Sequence, residues 1–164
     1  MFWTAGTPVV TIVAMKLLDY TTESGFIPNI KCGDVAAAVS RLVEGLAADG
    51  QVIDSTALVD EIMRREEEGS TAIGGGLVIP HARSKNVQQV RVAVATLADP
   101  IPVPAEDDRP VDVVILLVGP DGDPRLMLRV LARLARLVKH SSFLDSLREA
   151  ESAEDLRAVF SQLD

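Results

Sequence analysis

The chain has 164 residues, a formal net charge of −8, 48% hydrophobic residues and 4% aromatic residues. A chain of this length can bury the core of one domain without a metal ion or a disulfide. Its negative charge disfavours nucleic acid and anionic membranes as partners. Its single cysteine, Cys32, excludes an intrachain disulfide and a Cys-x-x-Cys metal or redox site, and fits a reducing cytoplasm.

The first fourteen residues differ in composition from the rest of the chain. The run MFWTAGTPVVTIVA is apolar, but it has no basic residue and is too short to span a bilayer, so we expect neither a signal peptide nor a transmembrane helix. We expect residues 1–14 to be an N-terminal extension that is either not native or disordered, and residues 15–164 to form a single domain.

Two amphipathic helices are predicted in the first half of the chain. The first has Asp34 as its N-cap and ends before Gly50, and the second runs from Asp54 or Ser55 to about Glu68. Apolar residues recur at helical spacing in both. Those of the second helix are Leu58, Val59, Ile62 and Met63.

Three stretches predict strands. QVRVAVATL alternates, with Val90, Val92 and Val94 on one face, and VDVVILLVG is a continuous apolar run that suits a strand covered on both sides. GLVIPH predicts a shorter strand that ends at Pro80. Between the first two, the proline-rich segment ADPIPVPAEDDRP predicts a connector with at most one irregular edge strand.

Two more helices complete the predicted order of elements. One has Asp123 as its N-cap and Pro124 at its first position, and the last begins at Ser152 with Asp155 as its capping-box partner. Helices before, between and after apolar strands indicate an α/β fold, a sandwich in which helices pack on the faces of a sheet.

His81 is the strongest candidate for chemistry, because a neutral imidazole is a nucleophile near pH 7 and can hold a covalent phosphoryl or acyl group. It follows Pro80, which fixes φ, and the glycines at positions 74–76, which would let a backbone approach a ligand closely. The alternative is a histidine that merely ends a strand. Since His140 is the only other histidine and no Cys/His cluster exists, we expect no metal site.

Arg65 is the second candidate. It lies three residues after Ile62 and seven after Leu58, at the border of the predicted inner helix face, whereas Arg64 points to solvent. A guanidinium near a histidine can neutralise a transferring phosphoryl group through paired N–H donors. The alternative is an arginine whose stem packs on the core while its head pairs with a neighbouring glutamate.

Other site types have weaker support. The glycines are not followed by the lysine of a P-loop, and neither G-x-G-x-x-G nor G-x-S-x-G occurs. A pairing of Cys32 with His81 is a weaker alternative that stays open.

The third predicted helix carries arginines at positions i, i+4, i+8 and i+11, namely Arg125, Arg129, Arg133 and Arg136. Such a stripe usually faces solvent. Arg125 differs because it lies in the first turn, where the helix dipole disfavours a cation, so either Asp123 or a nearby anion would compensate. His140 is predicted as a surface residue at the end of this helix.

The segment RREEEGSTAIGGGLVIPHAR resembles the active-site segment of the fructose, mannitol and nitrogen-regulatory type of enzyme IIA in the bacterial phosphotransferase system. That segment has arginine, glutamate, two variable residues, Gly-Ser-Thr, a glycine-containing turn and an apolar strand that ends in Pro-His. DPIPVPAEDDRPVDVVILLVGP is similar to the family's next segment, so the resemblance covers essentially Met15 to Asp164.

The resemblance implies a mixed sheet flanked by helices and a phosphotransferase activity that needs no cofactor. His81 would accept a phosphoryl group from a phosphohistidine carrier protein, HPr or its nitrogen-branch equivalent. It would pass the group to a IIB component for sugar uptake, and Arg65 would neutralise the developing charge. The residues expected to bind phosphate or to support the site are Gly69, Ser70, Thr71, Pro80 and Arg125.

This chain also departs from the family. Many members have a second histidine where this chain has Arg125, and an asparagine where it has Gly75. An arginine attracts phosphate but does not relay a proton near neutral pH. The alternative functions are a phosphorylation-gated binding module of the nitrogen-regulatory type and a degenerate adaptor that is not phosphorylated. The net negative charge suits a carrier with a basic docking surface, unless local charges around His81 reverse this.

Overall fold

In a computed structural model, residues 15–163 form a six-stranded mixed sheet with helices on both faces. This arrangement confirms the predicted α/β sandwich. The expected extension, residues 1–14, lies outside the residues that the structure describes.

The first element of the described residues is a 3-10 turn at Leu17–Tyr20, and eleven helices and strands follow it. They are β1 (Thr21–Ile30), α1 (Val35–Ala48), α2 (Ser55–Glu68), β2 (Ala72–Gly74), β3 (Leu77–Val78), β4 (His81–Arg83), β5 (Arg91–Ile101), β6 (Val111–Gly119), α3 (Pro124–Leu137), α4 (Ser141–Glu149) and α5 (Ala153–Leu163).

The strands lie in the order β1-β5-β6-β3-β2, and β4 pairs with β6 beyond the end of β3. β1 pairs parallel with β5, β5 antiparallel with β6, and both β3 and β4 parallel with β6. Among the described strands β4 has only β6 as a neighbour, so its outer edge is open. The candidate functional site lies at this edge.

The two central strands are buried on both faces. In β5, Val92 and Val94 face the layer of α3, α4 and α5, while Ala93 and Ala95 face α1 and α2. The valine alternation therefore identifies one face correctly, and the small alanines of the other face are covered as well. Small side chains let a helix layer approach the sheet closely.

The predicted helix starts agree with the structure. The side chains of Asp34, Asp54 and Asp123 each accept a hydrogen bond from the backbone N–H three residues further on, at 2.8, 3.0 and 3.3 Å. At the start of α5, Ser152 and Asp155 exchange the two hydrogen bonds of a capping box, at 3.1 and 3.2 Å. None of the described helices is both long and apolar enough to cross a membrane.

Other predicted boundaries are wrong. GLVIPH is not one strand, because Pro80 has no N–H to donate and interrupts the ladder; His81 begins β4 instead of following a strand end. The connector starts later than predicted, since β5 continues to Ile101. β1, β2 and α4 have no counterpart among the predicted elements, and His140 is the N-cap of α4, with an exposed side chain.

Candidate functional site

A cleft of about 600 Å³ opens where the free edge of β4 meets α2 and α3. It contains both candidates for chemistry, His81 from β4 and Arg65 from the last turn of α2. The full lining is Glu61, Arg65, His81, Ala82, Arg83, Asp121, Pro124, Met127, Leu128 and Leu131.

The ring of His81 is partly buried and is oriented by its own backbone segment. Its Nδ1 lies 2.8 Å from the carbonyl oxygen of Ile79. Because a carbonyl oxygen only accepts hydrogen bonds, the neutral ring carries its proton on Nδ1 and keeps a lone pair on Nε2. Nε2 makes no hydrogen bond with any residue from 15 to 163, so this nitrogen is available as a nucleophile.

Arg65 extends from the C-terminal turn of α2, where a cation interacts favourably with the helix dipole. Its side chain is exposed, and Nη1 donates to the carbonyl oxygen of Gly69 at 3.4 Å. This long hydrogen bond leaves most of the guanidinium donors free. Arg64 is also exposed, but it does not line the cleft. The two arginines therefore differ in position relative to His81, as the spacing of apolar residues along α2 predicts.

Arg83 also lines the cleft and is absent from the residues predicted for the site. Side chains alternate along a strand, so Arg83 shares a face of β4 with His81, whereas Ala82 packs into the core under α1 and α2. The sequence contains the spacing of two residues between His81 and Arg83. It did not indicate a shared face, because the predicted strand ends at Pro80.

Two carboxylates balance the two arginines of the cleft. Glu61 accepts a hydrogen bond from the Nδ2 of Asn86 at 2.9 Å, and Asp121 lies exposed in the loop before α3. The formal charges of Glu61, Asp121, Arg65 and Arg83 cancel. The cleft is therefore less negative than the net charge of the chain suggests. Within the described part of the chain, no three His, Cys, Asp or Glu side chains gather as a metal site would require.

The Gly-Ser-Thr segment forms the turn from α2 to β2 and does not line the cleft. The carboxylate of Glu66 accepts from the Thr71 N–H at 2.8 Å and from the Thr71 hydroxyl at 2.7 Å. The hydroxyl of Ser70 accepts from the Ala72 N–H at 3.2 Å. These donors are thus already engaged, and Gly69 reaches the site only through its bond from Arg65.

The glycines at 74–76 belong to the β2–β3 turn. Their φ angles of 90°, 67° and 79° lie in the left-handed region that glycine adopts without strain. Asp107 accepts from the Gly75 N–H at 2.8 Å, and Arg148 donates to the Gly75 carbonyl.

This turn is distant from His81. Leu77, the first residue after it, stands opposite Val113, whereas His81 stands opposite Leu117. Four residues of an extended strand span about 13 Å. The glycines therefore shape the turn and do not bring a backbone close to a ligand in the cleft.

Arg125 and Pro80 flank the site without lining it. Arg125 is exposed in the first turn of α3, and the buried Pro80 precedes His81 and accepts a hydrogen bond from Leu117 at 3.0 Å. The position where many family members have a second histidine is therefore outside the cleft of this chain.

The sequence model described as "Phosphoenolpyruvate-dependent sugar phosphotransferase system, EIIA 2" matches residues 19–163. The chain belongs to this family. EIIA domains are phosphoryl carriers of that system, which agrees with a cleft lined by an imidazole and two arginine side chains.

EIIA relatives with different names match over most of the chain. It is 30% identical to a nitrogen regulatory protein of Bradyrhizobium diazoefficiens over 145 residues, which cover 88% of this chain and 94% of the relative. It is 34% identical to a PTS system fructose-specific EIIA component of Haloferax volcanii over 126 residues, which cover 77% of this chain and 82% of the relative.

A solved EIIA structure has the same fold. The nitrogen regulatory protein IIA-Ntr of Neisseria meningitidis superimposes with a TM-score of 0.79 at 26% identity, covering 87% of this chain and 97% of that chain. Relatives of both the sugar-specific and the nitrogen-regulatory kind thus share this domain.

Proposed function

We propose that this EIIA protein accepts a phosphoryl group on Nε2 of His81 from a phosphohistidine carrier protein, HPr or its nitrogen-branch equivalent. The supporting observation is the hydrogen bond from His81 Nδ1 to Ile79, which leaves the Nε2 lone pair in a cleft with two arginines. The N–P bond of the carrier breaks as the bond from phosphorus to Nε2 forms. The electron pair of the broken bond stays on the ring nitrogen of the carrier.

Arg65 and Arg83 neutralise the charge on the phosphoryl oxygens during this transfer. A guanidinium offers several N–H donors in a fixed plane and remains charged at all relevant pH values, so it binds phosphoryl oxygens without exchanging a proton. Loose phosphoryl-transfer transition states require positioning and charge stabilisation more than covalent chemistry, and the two guanidinium groups supply that charge stabilisation.

The other residues of the motif have supporting roles in this proposal. Gly69 holds Arg65 through its carbonyl, and the Thr71 turn, fixed by Glu66, sets where α2 ends. Ser70 closes the same turn, and Pro80 restricts the backbone before His81. The exposed Arg125 attracts the anionic phosphoryl group at longer range.

The phosphorylated domain then passes its phosphoryl group to a IIB component for sugar uptake. A second function is supported by the match to a nitrogen regulatory protein over 94% of that protein's length. In that case the phosphoryl group on His81 gates binding to a regulatory target. Both functions require the same first step.

Phosphorylation with radiolabelled phosphoenolpyruvate, enzyme I and either carrier tests the first step. His140→Ala is the matched control, because His140 is the only other histidine and lies exposed at the start of α4. We expect label on the wild type and on His140→Ala, and none on His81→Ala. Label that persists on His81→Ala would show that the phosphoryl acceptor is another residue. If the folded wild type takes no label from either carrier, the protein is a degenerate adaptor that is not phosphorylated.

Discharge of the labelled protein separates the two functions. Addition of a IIB component from the same organism removes the label if the domain serves sugar uptake. A label that persists with every IIB component, together with target binding that depends on phosphorylation, favours the regulatory function.

A further inference from the structure

The outer side of α3 carries four arginines that form no ion pair with a residue in the described part of the chain. We call this surface the basic face, and its residues are Arg125, Arg129, Arg133 and Arg136. The ion pairs among residues 15–163 both belong to Arg148, so none of the four arginines pairs with a described carboxylate. Every other described lysine and arginine except Arg148 also lacks an ion pair with a described carboxylate, so the basic face is distinguished by the alignment of four arginines on one helix in a chain with 24 acidic and 16 basic residues.

The stability of α3 does not explain these residues. Arg125, Arg129 and Arg133 follow one another at intervals of four, a spacing at which like charges repel across one helical turn. Arg125 also lies in the first turn, where a cation opposes the helix dipole. A helix selected only for stability would carry glutamates at some of these positions.

One arginine of the basic face has a buried donor with no acceptor among residues 15–163. The Nε of Arg133 is shielded from solvent and makes no hydrogen bond with a described residue, while its Nη2 donates to the Leu163 carbonyl at 3.3 Å. A cavity of about 330 Å³ adjoins it, lined by Met15, Arg129, Ala132, Arg133 and Arg136. An acceptor that entered from outside would satisfy such a donor.

The basic face is separate from the cleft of His81. α3 lines that cleft with Pro124, Met127, Leu128 and Leu131, which recur at intervals of three and four residues. At 100° per residue, the arginines project from a different side of the same helix. Apart from Arg125, which attracts the phosphoryl group at longer range, the basic face has no role in the proposed transfer, and the inference about it does not depend on phosphorylation of His81.

We infer that the basic face docks an acidic segment of a partner protein. From Arg125 to Arg136 the row spans about 16 Å of helix, the length of a short peptide segment. Glutamate and aspartate side chains match the planar donors of arginine with two parallel hydrogen bonds. A DNA duplex or a membrane is an extended anion that would also meet the acidic remainder of this chain, so a short acidic segment fits better.

Titration of the ¹⁵N-labelled protein with a capped Glu/Ala peptide tests the inference, and a Gln/Ala peptide of equal length is the ligand control. The double variant Arg129→Gln/Arg136→Gln removes two exposed cations of the basic face. The matched control Arg41→Gln/Arg157→Gln removes two exposed cations of α1 and α5, with the same change in net charge. Circular dichroism verifies that both variants fold.

We expect the acidic peptide to shift the amide signals of α3, with little effect from the Gln/Ala peptide. One exposed ion pair changes an equilibrium constant by a factor of about 1.5 to 5, so the basic-face variant should bind about 2- to 25-fold more weakly than the control variant.

Three results would overturn the inference. The first is that the acidic peptide does not shift the amide signals of α3. The second is that both double variants weaken peptide binding equally. The third is that the shifted amide signals cluster around Arg65 and Arg83 instead of α3. Competition with a 20-base-pair DNA duplex and with phosphatidylserine vesicles completes the test, and tighter binding of either to the basic face contradicts a protein partner.

Discussion

Replacement of Gly76 by alanine tests whether the three consecutive glycines are needed for the turn. Gly76 has φ of 79°, and an added Cβ would lie 2.6 Å from Oδ1 of Asp112 and 2.7 Å from Nη2 of Arg148. These two side chains form a largely buried ion pair, with Arg148 Nε 2.8 Å from Asp112 Oδ2. The new methyl group therefore strains the backbone and displaces the pair.

The expected loss follows from these two effects. A left-handed conformation costs a residue other than glycine about 1 to 2 kcal/mol. Weakened hydrogen bonds between charged groups cost about 1.5 to 3 kcal/mol. We expect Gly76→Ala to lose about 3 kcal/mol of unfolding free energy, which lowers Tm by about 6 to 12 °C in a domain of this size.

Urea and thermal unfolding followed by circular dichroism measure this loss. Gly33→Ala is the control, because no atom lies within 4 Å of its added Cβ and its φ is not left-handed. That variant should stay within about 1 kcal/mol of the wild type. If Gly76→Ala is no less stable than Gly33→Ala, the steric argument is wrong. Since the turn is distant from His81, folded Gly76→Ala should still be phosphorylated.

Three further predictions concern the site and the packing around it. Arg83→Ala should slow phosphorylation about 10- to 100-fold in rapid-quench assays, as expected for a lost hydrogen bond to a charged group. The control variant Arg64→Ala should keep the wild-type rate. If the two variants are phosphorylated at equal rates, Arg83 has no role in the mechanism. In Gly45→Ala the added Cβ would collide with the backbone carbonyl oxygen of Ser24, so the variant should lose about 1 to 3 kcal/mol of unfolding free energy. An unchanged urea midpoint would contradict this contact. Burial raises the pKa of Asp49, but the nearby Thr22 hydroxyl and the hydrogen bonds from Ser24 together outweigh it and hold that pKa below its ordinary value. The ionised Asp49 side chain therefore stabilises the folded state above the unfolded-state pKa of about 3.9, and this stabilisation is lost as pH falls through the lower folded-state pKa. We expect the free energy of unfolding of Asp49→Asn to depend less on pH than that of the wild type in measurements below about pH 4.

Four of the five described helices were predictable because their signals are local, whereas α4 has no side-chain N-cap hydrogen bond and was not predicted. The N-caps Asp34, Asp54 and Asp123 bond to amides three residues away, and the apolar periodicity of each helix lies within one segment. The same local geometry distinguished Arg65 from Arg64 before any tertiary contact was known. The motif around His81 was likewise contiguous, so the family could be recognised from the printed sequence.

Only the tertiary structure decided which elements meet. β1 is an edge strand with glycine and proline in its sequence, and it is defined by its pairing with β5, far along the chain. β4 has three residues, too few for a periodic signal, and depends on its hydrogen bonds to β6. That pairing gives Arg83 its place beside His81 and opens the cleft to α2 and α3.

The sequence by itself determined four of the five described helices, the candidate pair His81 and Arg65, and the family, because each depends on residues within one short segment. The tertiary structure decided the role of the glycine turn, the positions of Arg83 and Arg125, and the free Nε2 of His81. Those properties depend on hydrogen bonds and packing between distant segments, whose pairing no local pattern specifies.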